Sequence, residues 1–144
     1  MTRVLALFLL LSSLGAAAAE VRYETIAEGL SYPWSLAFLP DGSMLVTERD
    51  GQLRRIVDGR LLEEPVSGTP EVFVAGQGGL FEVLPDTDFA DNRAVYLSYA
   101  HGRPEANSTR VARARLVDNA LVDLEILFTA VPQKSTPHHY GGRM

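Results

Sequence analysis

The chain has 144 residues, of which 47% are hydrophobic and 22% charged, a composition typical of one globular unit and not of a disordered segment. It contains no cysteine, which excludes a disulfide framework. Its net charge of −5 argues against nucleic acid as a partner.

The first nineteen residues have the pattern of a secretory signal peptide. Arg3 gives a basic start, an apolar run follows over 4–11, and small residues end the segment at Ala17 and Ala19. A membrane-spanning helix is the alternative, but it needs about 20 predominantly apolar residues, and two serines and a glycine interrupt this run. Cleavage before Glu20 leaves 12 basic and 18 acidic residues, a net charge of −6, in a periplasmic or secreted chain without a membrane anchor.

Three Asp-Gly pairs divide the next part of the chain into short β-rich runs. The pairs begin at Asp41, Asp50 and Asp58, at spacings of nine and eight residues. Asp-Gly between such runs is a strong hairpin signal, because glycine accepts a positive φ at little steric cost. The segment 32–66 is therefore predicted to be a four-stranded antiparallel meander.

A second unit repeats the first. The sequence SLAFLPDG recurs as GLFEVLPDT, with Leu39 matching Leu84 at an offset of 45 residues. Three further strand-like runs follow. The run 95–99 is almost wholly apolar, as expected for a strand buried on both faces, and arginines alternate with apolar residues in VARARL, as on a strand with one solvated face. A third unit is predicted to open at Gly141-Gly142, in the phase in which Gly78-Gly79 opens the second.

Four-stranded units that repeat every 40 to 50 residues predict the blades of a β-propeller, an all-β fold. About two blades and the start of a third are present within 20–144. Because a blade buries its faces only against neighbouring blades, we expect the chain to be the N-terminal part of a longer protein and inactive by itself.

The propeller architecture gathers two polar residues from different units. In a propeller, the first strand of each blade lines the central channel, and the segments that lead into those strands surround one mouth of it. If PWSLAF, GGLFEV and GGRM are these strands, then Tyr32-Pro33, Gln77 and His138-His139 occupy equivalent entry positions. Gln77 and His139 are therefore predicted to lie at one end of the axis.

The segments YPWSLAFLPDGSMLVTERDGQLRRI, GQGGLFEVLPDTDFADNRAVYLSYA, TRVARARL and HYGGRM, in this order, resemble the soluble aldose sugar dehydrogenases of the glucose/sorbosone dehydrogenase family. The resemblance runs from about Ala27 to the last residue. It implies a six-bladed propeller that holds pyrroloquinoline quinone and calcium over the channel and oxidises the anomeric carbon of sugars in the periplasm. A sugar is then the substrate, and a downstream electron acceptor is a partner.

The resemblance also implies roles for residues at matched positions. His139 matches the family's general base, and Gln77 matches the glutamine that helps to place sugar and cofactor. Two positions depart from the pattern, because His138 stands where relatives often carry glutamine or aspartate and Gly142 where serine is common. The family's calcium-binding stretches are absent from these 144 residues, so the calcium ligands are expected beyond residue 144.

These residue types suit sugar oxidation. Removal of a hydride from the anomeric carbon requires the attached hydroxyl to lose its proton, which a neutral imidazole can accept near neutral pH. A quinone carbonyl polarised by a divalent cation can take the hydride. A neutral amide can donate to and accept from sugar hydroxyls without competing for the proton.

Each of these residues also has an ordinary interpretation. His139 is otherwise a solvated loop histidine and Gln77 a turn residue. His138 and His139, as neighbours in extended chain, are expected to face opposite sides and so to form a poor metal site. The glycines at 76, 78 and 79 are interpreted as close backbone packing rather than a phosphate cradle, because no helix follows them.

Other side chains are given structural roles. Trp34 is interpreted as blade core, Arg54-Arg55 and Arg110–Arg115 as solvated strand faces, and Arg143 as an ion-pair partner rather than a cofactor ligand. Asn107-Ser108-Thr109 fits a glycosylation acceptor pattern, which matters only in a eukaryotic secretory route.

Two other functions are open to a propeller. A non-enzymatic binding propeller would lack an acid partner for His139 and a cationic cofactor pocket in the full-length protein. A propeller lactonase with a metal in the channel would carry carboxylates at the blade entries in place of Gln77 and His139.

The signal-peptide pattern can be tested directly. Expressed in a bacterium with a periplasm, the mature chain should begin at or near Glu20, as determined by N-terminal sequencing. A membrane-bound product that begins at Met1 or Thr2 would contradict the prediction.

Overall fold

In a computed structural model, residues 21–144 are described, and the predicted signal peptide lies outside them. They form two four-stranded antiparallel sheets in which hydrogen-bonded neighbours follow chain order, so the predicted meander and its repeat are confirmed. The first sheet contains β1 (Pro33–Phe38), β2 (Met44–Glu48), β3 (Leu53–Val57) and β4 (Arg60–Leu61), and the second contains β5 (Leu80–Pro85), β6 (Ala94–Arg103), β7 (Ala106–Val117) and β8 (Ala120–Thr129). A single helical turn, α1 (Phe89–Asn92), joins β5 to β6.

The predicted turns form as their sequences require. Asp58 and Gly59 both have positive φ, 50° and 71°, which is the geometry of a two-residue hairpin turn between β3 and β4. At the first turn, one carboxylate oxygen of Asp41 accepts hydrogen bonds from the backbone N–H of Ser43 at 3.0 Å and from its hydroxyl at 2.6 Å. These bonds, the hydroxyl first, hold the pKa of Asp41 below its ordinary value.

The hydrophobic core lies between the two sheets, where β5 packs against β1 and β2. It draws on both sheets, with Leu45 and Leu53 from the first and Leu80, Val83, Leu97 and Tyr99 from the second. The predicted strand patterns are confirmed, because four of the five residues over 95–99 are buried and Ala112, Ala114 and Leu116 are buried while Arg115 is exposed. The sheets thus stack as neighbouring blades.

A buried threonine joins the two sheets by polar contacts. Thr47 in β2 is fully buried, and its hydroxyl donates to the carbonyl of Phe81 in β5 at 2.5 Å. The same oxygen accepts the backbone N–H of Ser35 in β1 at 3.0 Å. One side chain therefore satisfies backbone groups of both inner strands at positions where their ladders are irregular.

Two structural interpretations were wrong. Trp34 is 59% exposed and not core, because it is the extra residue of a β-bulge between Pro33 and Ser35 that turns its side chain out of the alternating pattern. The side chains of Arg54 and Arg55 are only 13% and 17% exposed, so they do not form a solvated face.

The two arginines are only partly exposed because they connect different parts of the structure. Arg54 pairs with the buried Glu48 at 3.5 Å. Arg55 pairs with Asp41 at 3.1 Å, and its other terminal nitrogen donates to the carbonyl of Asp118, in the turn between β7 and β8, at 2.6 Å. The sequence pattern around Arg54 and Arg55 does not indicate that they have these partners.

The segment 130–144 lies along the second sheet without forming a strand. No strand forms at Gly141-Gly142 within the described residues, but the Gly142 carbonyl accepts a hydroxyl from the second strand of the preceding sheet, as the Phe81 carbonyl does, which is the position predicted for the start of a third unit. Ser98 donates to the Gly142 carbonyl at 2.5 Å, and Glu82 accepts the backbone N–H of Met144. Arg143 lies 3.7 Å from Glu82, which confirms it as an ion-pair partner.

Residues 21–144 contain no helix that is long and apolar enough to span a membrane.

Asn107 anchors this segment to β7. The residue is fully buried, and its side-chain oxygen accepts the hydroxyl of Tyr140 at 2.6 Å, while its backbone pairs with Lys134. Its side-chain nitrogen donates to the carbonyls of Arg103 and Pro104. The asparagine of the glycosylation pattern is thus committed to internal hydrogen bonds in the folded chain.

We expect Asn107→Ala to lower the free energy of unfolding of the full-length protein by about 1–3 kcal/mol, because it leaves the buried Tyr140 hydroxyl without a partner. Urea denaturation measures the loss. Asn119→Ala is the matched control, since Asn119 also donates to two carbonyls, Glu64 and Pro65, in a more exposed place. Equal losses from the two substitutions would contradict the anchoring role.

Candidate functional site

A cavity of about 450 Å³ opens where the chain enters the two sheets and where the segment 137–141 passes beside them. Its wall combines aromatic rings, polar side chains and closely packed glycines: Trp34, Arg49, Gly76, Gln77, Leu80, Phe81, His139, Tyr140 and Gly141. Tyr32, predicted at the equivalent entry of the first blade, is 78% exposed and does not line the cavity. The volume of the cavity is in the range of small-molecule sites.

The loop 76–79 is held between two other segments by close backbone packing. A Cβ on Gly76 would lie 2.6 Å from the carbonyl oxygen of Pro137, and one on Gly79 would lie 2.3 Å from the carbonyl oxygen of Arg49. Both glycines also have positive φ, 53° and 155°. The interpretation of these glycines as packing positions is confirmed. Their close packing places the backbone of Gln77 between the first sheet and the segment at 137.

Gln77 and His139 are in direct contact, as the repeat predicts. The side-chain oxygen of Gln77 accepts the backbone N–H of His139 at 2.8 Å, and the backbone N–H of Gln77 donates to the Pro137 carbonyl at 2.9 Å. Because the His139 group is a donor, the Gln77 amide must direct its oxygen at it. The amide NH₂ group is therefore the part of Gln77 that is left to donate to a ligand.

His139 has a left-handed backbone, with φ of 62°. The prediction that His138 and His139 face opposite sides of an extended chain was therefore wrong, and their ring centroids lie 6.3 Å apart. His138 is bonded through Nδ1 to the Thr136 hydroxyl at 3.1 Å, whereas His139 lines the cavity. A non-glycine residue in this region costs about 1–3 kcal/mol and persists only where its surroundings fix it.

Lys134 helps to fix this backbone, and no sequence pattern indicates this role. Its ammonium group donates to the carbonyls of both histidines, at 3.2 Å for His139, and lies 3.6 Å from the centre of the Tyr140 ring. The hydroxyl of Thr109 donates a hydrogen bond to the Tyr140 carbonyl at 2.6 Å. Burial lowers the pKa of Lys134 and raises the pKa of Tyr140.

Arg49 is a second residue that sequence reasoning missed. It follows β2 directly, at the edge of the first sheet where β1 begins, and it donates to the carbonyls of Gly76 at 2.5 Å and Gly78 at 3.3 Å. The signal that could have identified it is its position in the predicted meander, because the residue after the second strand returns to the entry edge.

Three aromatic rings form one wall of the cavity. Phe81 lies between Trp34 at 5.8 Å and Tyr140 at 5.6 Å, measured between ring centroids, and is itself buried. Gly142 packs against this ring, since an added Cβ would lie 2.9 Å from Phe81. A serine at position 142 would therefore require Phe81 to move.

Comparisons with known proteins agree on the family. The family model described as Glucose / Sorbosone dehydrogenase matches residues 30–144. Aldose sugar dehydrogenase YliI of Escherichia coli is 42% identical over 142 residues, which cover 96% of this chain and 38% of that protein. The crystal structure of the soluble aldose sugar dehydrogenase of Escherichia coli in its apo form superposes with a TM-score of 0.78 at 41% identity, over 83% of this chain and 36% of that one.

A structural neighbour that carries a cofactor extends the comparison. The aldose sugar dehydrogenase of Streptomyces coelicolor, solved with PQQ bound, has a TM-score of 0.67 at 26% identity, over 76% of this chain and 33% of that one. The fold and these matches define two blades of a β-propeller. The chain belongs to the glucose/sorbosone dehydrogenase family, and it spans about a third of the length of the relatives it matches.

The close approach at Gly79 leads to a stability prediction. Gly79→Ala should destabilise the full-length protein by about 2 kcal/mol or more, because the new Cβ collides with the Arg49 backbone as well as adopting a positive φ. Gly42→Ala is the control, since Gly42 has a φ of 83° and open space around it. Thermal and urea unfolding of both variants should give a distinctly smaller loss for Gly42→Ala, and similar losses would contradict the packing argument.

Proposed function

We propose that this chain is the N-terminal part of an exported aldose sugar dehydrogenase that oxidises the anomeric carbon of sugars, with His139 as general base and pyrroloquinoline quinone as hydride acceptor. The observation that carries the proposal is the Gln77–His139 contact beside the cavity, which joins the entries of two repeats. The family, the name of the Escherichia coli relative and the PQQ-bound neighbour support the same chemistry.

The rest of the propeller is needed to complete such a site. Apolar side chains remain exposed on β1, where Leu36 and Phe38 are 50% and 73% exposed, and on β8, where Phe128 is 56% exposed. Faces of this kind are expected where further blades pack. We therefore assign the remaining catalytic and binding groups to residues outside this chain.

The residues of the cavity fit one part of a planar, anionic quinone. Trp34, Phe81 and Tyr140 offer aromatic surface, and Arg49 offers a cation. Calcium is a different matter, since no group of three His, Cys, Asp or Glu residues within 21–144 could hold a metal ion. We place the calcium ligands beyond residue 144.

In the proposed reaction, the His139 imidazole accepts the proton of the anomeric hydroxyl as the hydride leaves the same carbon, which converts the aldose to a lactone. When bound, the quinone supplies the two-electron acceptor for that hydride. Gln77 donates from its amide NH₂ to a sugar hydroxyl, while its oxygen holds the His139 backbone. The bond from Lys134 to the His139 carbonyl restrains the same residue from the other side.

The two alternative functions gain no support from the site. The lactonase alternative requires carboxylates at the blade entries, and the side chains that line this cavity in the described chain include none. A binding propeller needs no base, whereas His139 is held in a costly backbone conformation beside the cavity.

Substitution of the two adjacent histidines tests the proposal. General-base catalysis contributes about 10² to 10⁴ in rate, so His139→Ala in the full-length protein should lower kcat for aldose oxidation by a factor in that range. His138→Ala is the control, because the His138 ring is bonded to Thr136 and does not line the cavity. It should cost less than about tenfold.

Steady-state oxidation and cofactor affinity are measured for both variants. Cofactor affinity should change little in either one. Equal losses of turnover would remove His139 from the proton transfer, and sugar binding without any oxidation by the unsubstituted protein would favour the binding propeller.

A further inference from the structure

Arg49 connects the first blade to the loop that carries Gln77. Its Nη2 donates to the Gly76 carbonyl at 2.5 Å and its Nε donates to the Gly78 carbonyl at 3.3 Å, so the guanidinium spans the two carbonyls on either side of Gln77. The backbone of Arg49 adds to the contact, because its carbonyl accepts the N–H of Leu80 at 3.2 Å. Arg49 therefore bonds to the loop both before and after Gln77.

These hydrogen bonds restrict the backbone of the loop and therefore the point from which the Gln77 side chain extends. The peptide planes that flank a residue set the direction of its Cα–Cβ bond. Arg49 holds the carbonyl of the peptide before Gln77, the N–H of the peptide after it donates to the Ala75 carbonyl at 2.7 Å, and Arg49 holds the Gly78 carbonyl one peptide further on. From this position, the side-chain oxygen of Gln77 accepts a hydrogen bond from the backbone N–H of His139 at 2.8 Å. The left-handed φ of His139 needs such a restraint.

We propose that Arg49 is a positioning residue for sugar oxidation, which fixes Gln77 by bridging the carbonyls of Gly76 and Gly78 and, through Gln77, fixes the backbone of the base His139. The inference rests on the proposed function of Gln77 and His139. It assigns to Arg49 a geometric task that depends on the planar fork of a guanidinium rather than on its charge. A chain of contacts thus runs from the first blade through the second to the segment that holds the base.

Arg49→Lys separates geometry from charge, because lysine keeps the positive charge but cannot span the two carbonyls from a planar fork. Arg54→Lys is a matched control, since Arg54 also donates to two neighbouring carbonyls, Leu62 at 2.9 Å and Glu63 at 3.3 Å, but lies away from the cavity. Arg49→Met, which keeps the aliphatic stem and lacks donors, provides a second variant if the lysine disturbs folding. All are made in the full-length protein, and thermal unfolding reports whether each one folds.

Two readouts are used. In the Arg49 variants, kcat/KM for an aldose at saturating cofactor should fall by about 10- to 100-fold, the scale of a small misplacement of reacting groups, whereas Arg54→Lys should change it less than about threefold. Independently of activity, hydrogen exchange measured by mass spectrometry should become faster in peptides that cover 76–80 and 137–141 in the Arg49 variants alone.

The double variant Arg49→Lys with Gln77→Ala tests whether Arg49 acts through Gln77. We expect it to be no less active than Gln77→Ala, because the second substitution removes what Arg49 positions. Full activity of Arg49→Lys with unchanged exchange would overturn the inference, and so would a loss confined to cofactor affinity in Arg49→Met, which would indicate a charge role. Full activity of Gln77→Ala would instead contradict the proposed function of Gln77, whatever Arg49 does to hydrogen exchange.

Discussion

The hydrogen bond from the backbone of His139 to the side chain of Gln77 joins residues 62 positions apart, and the geometry of the candidate site depends on it. It requires the loop at Gln77 to lie within reach of the segment at 137, which only glycine permits at position 76. It also fixes the orientation of the Gln77 amide, because a backbone N–H can be accepted only by the amide oxygen. This one hydrogen bond therefore fixes the backbone of His139, from which the imidazole extends, and determines that the NH₂ group of the Gln77 amide faces the cavity.

The surroundings of this bond show why the blades must stack before the site exists. Arg49 comes from the first sheet, Gln77 from the entry of the second, and Lys134 from the segment bonded to β7, and each contributes a restraint on the next. The buried Thr47 hydroxyl, which binds backbone groups of both inner strands, holds the two sheets in the alignment these contacts need. The site is thus a product of inter-blade packing and not of one local motif.

What the sequence predicts here is what local pattern and repetition determine. Asp-Gly pairs specify the hairpins of the first sheet, the offset of 45 residues identifies the second blade, and the equivalence of entry positions brings Gln77 to His139. The exposed Trp34 was missed because a bulge, which no alternating pattern reveals, turns it outward. Arg55 and Arg49 were missed because an arginine in a polar run looks the same whether it meets solvent or a carbonyl of the next blade.

The charges around the cavity indicate how the chemistry is divided between this chain and the remainder of the proposed enzyme. Lys134, which bonds to His139, directs its ammonium group at two backbone carbonyls, and Arg49, which lines the cavity with His139, directs two of its nitrogens at two others. Both groups keep their charge, but the N–H donors that are bonded to the backbone are not available to bond a carboxylate of the cofactor. Under the proposed function, this chain therefore supplies the proton acceptor and a donor to the sugar, whereas most of the charge that binds the cofactor and its metal must come from the blades that complete the ring.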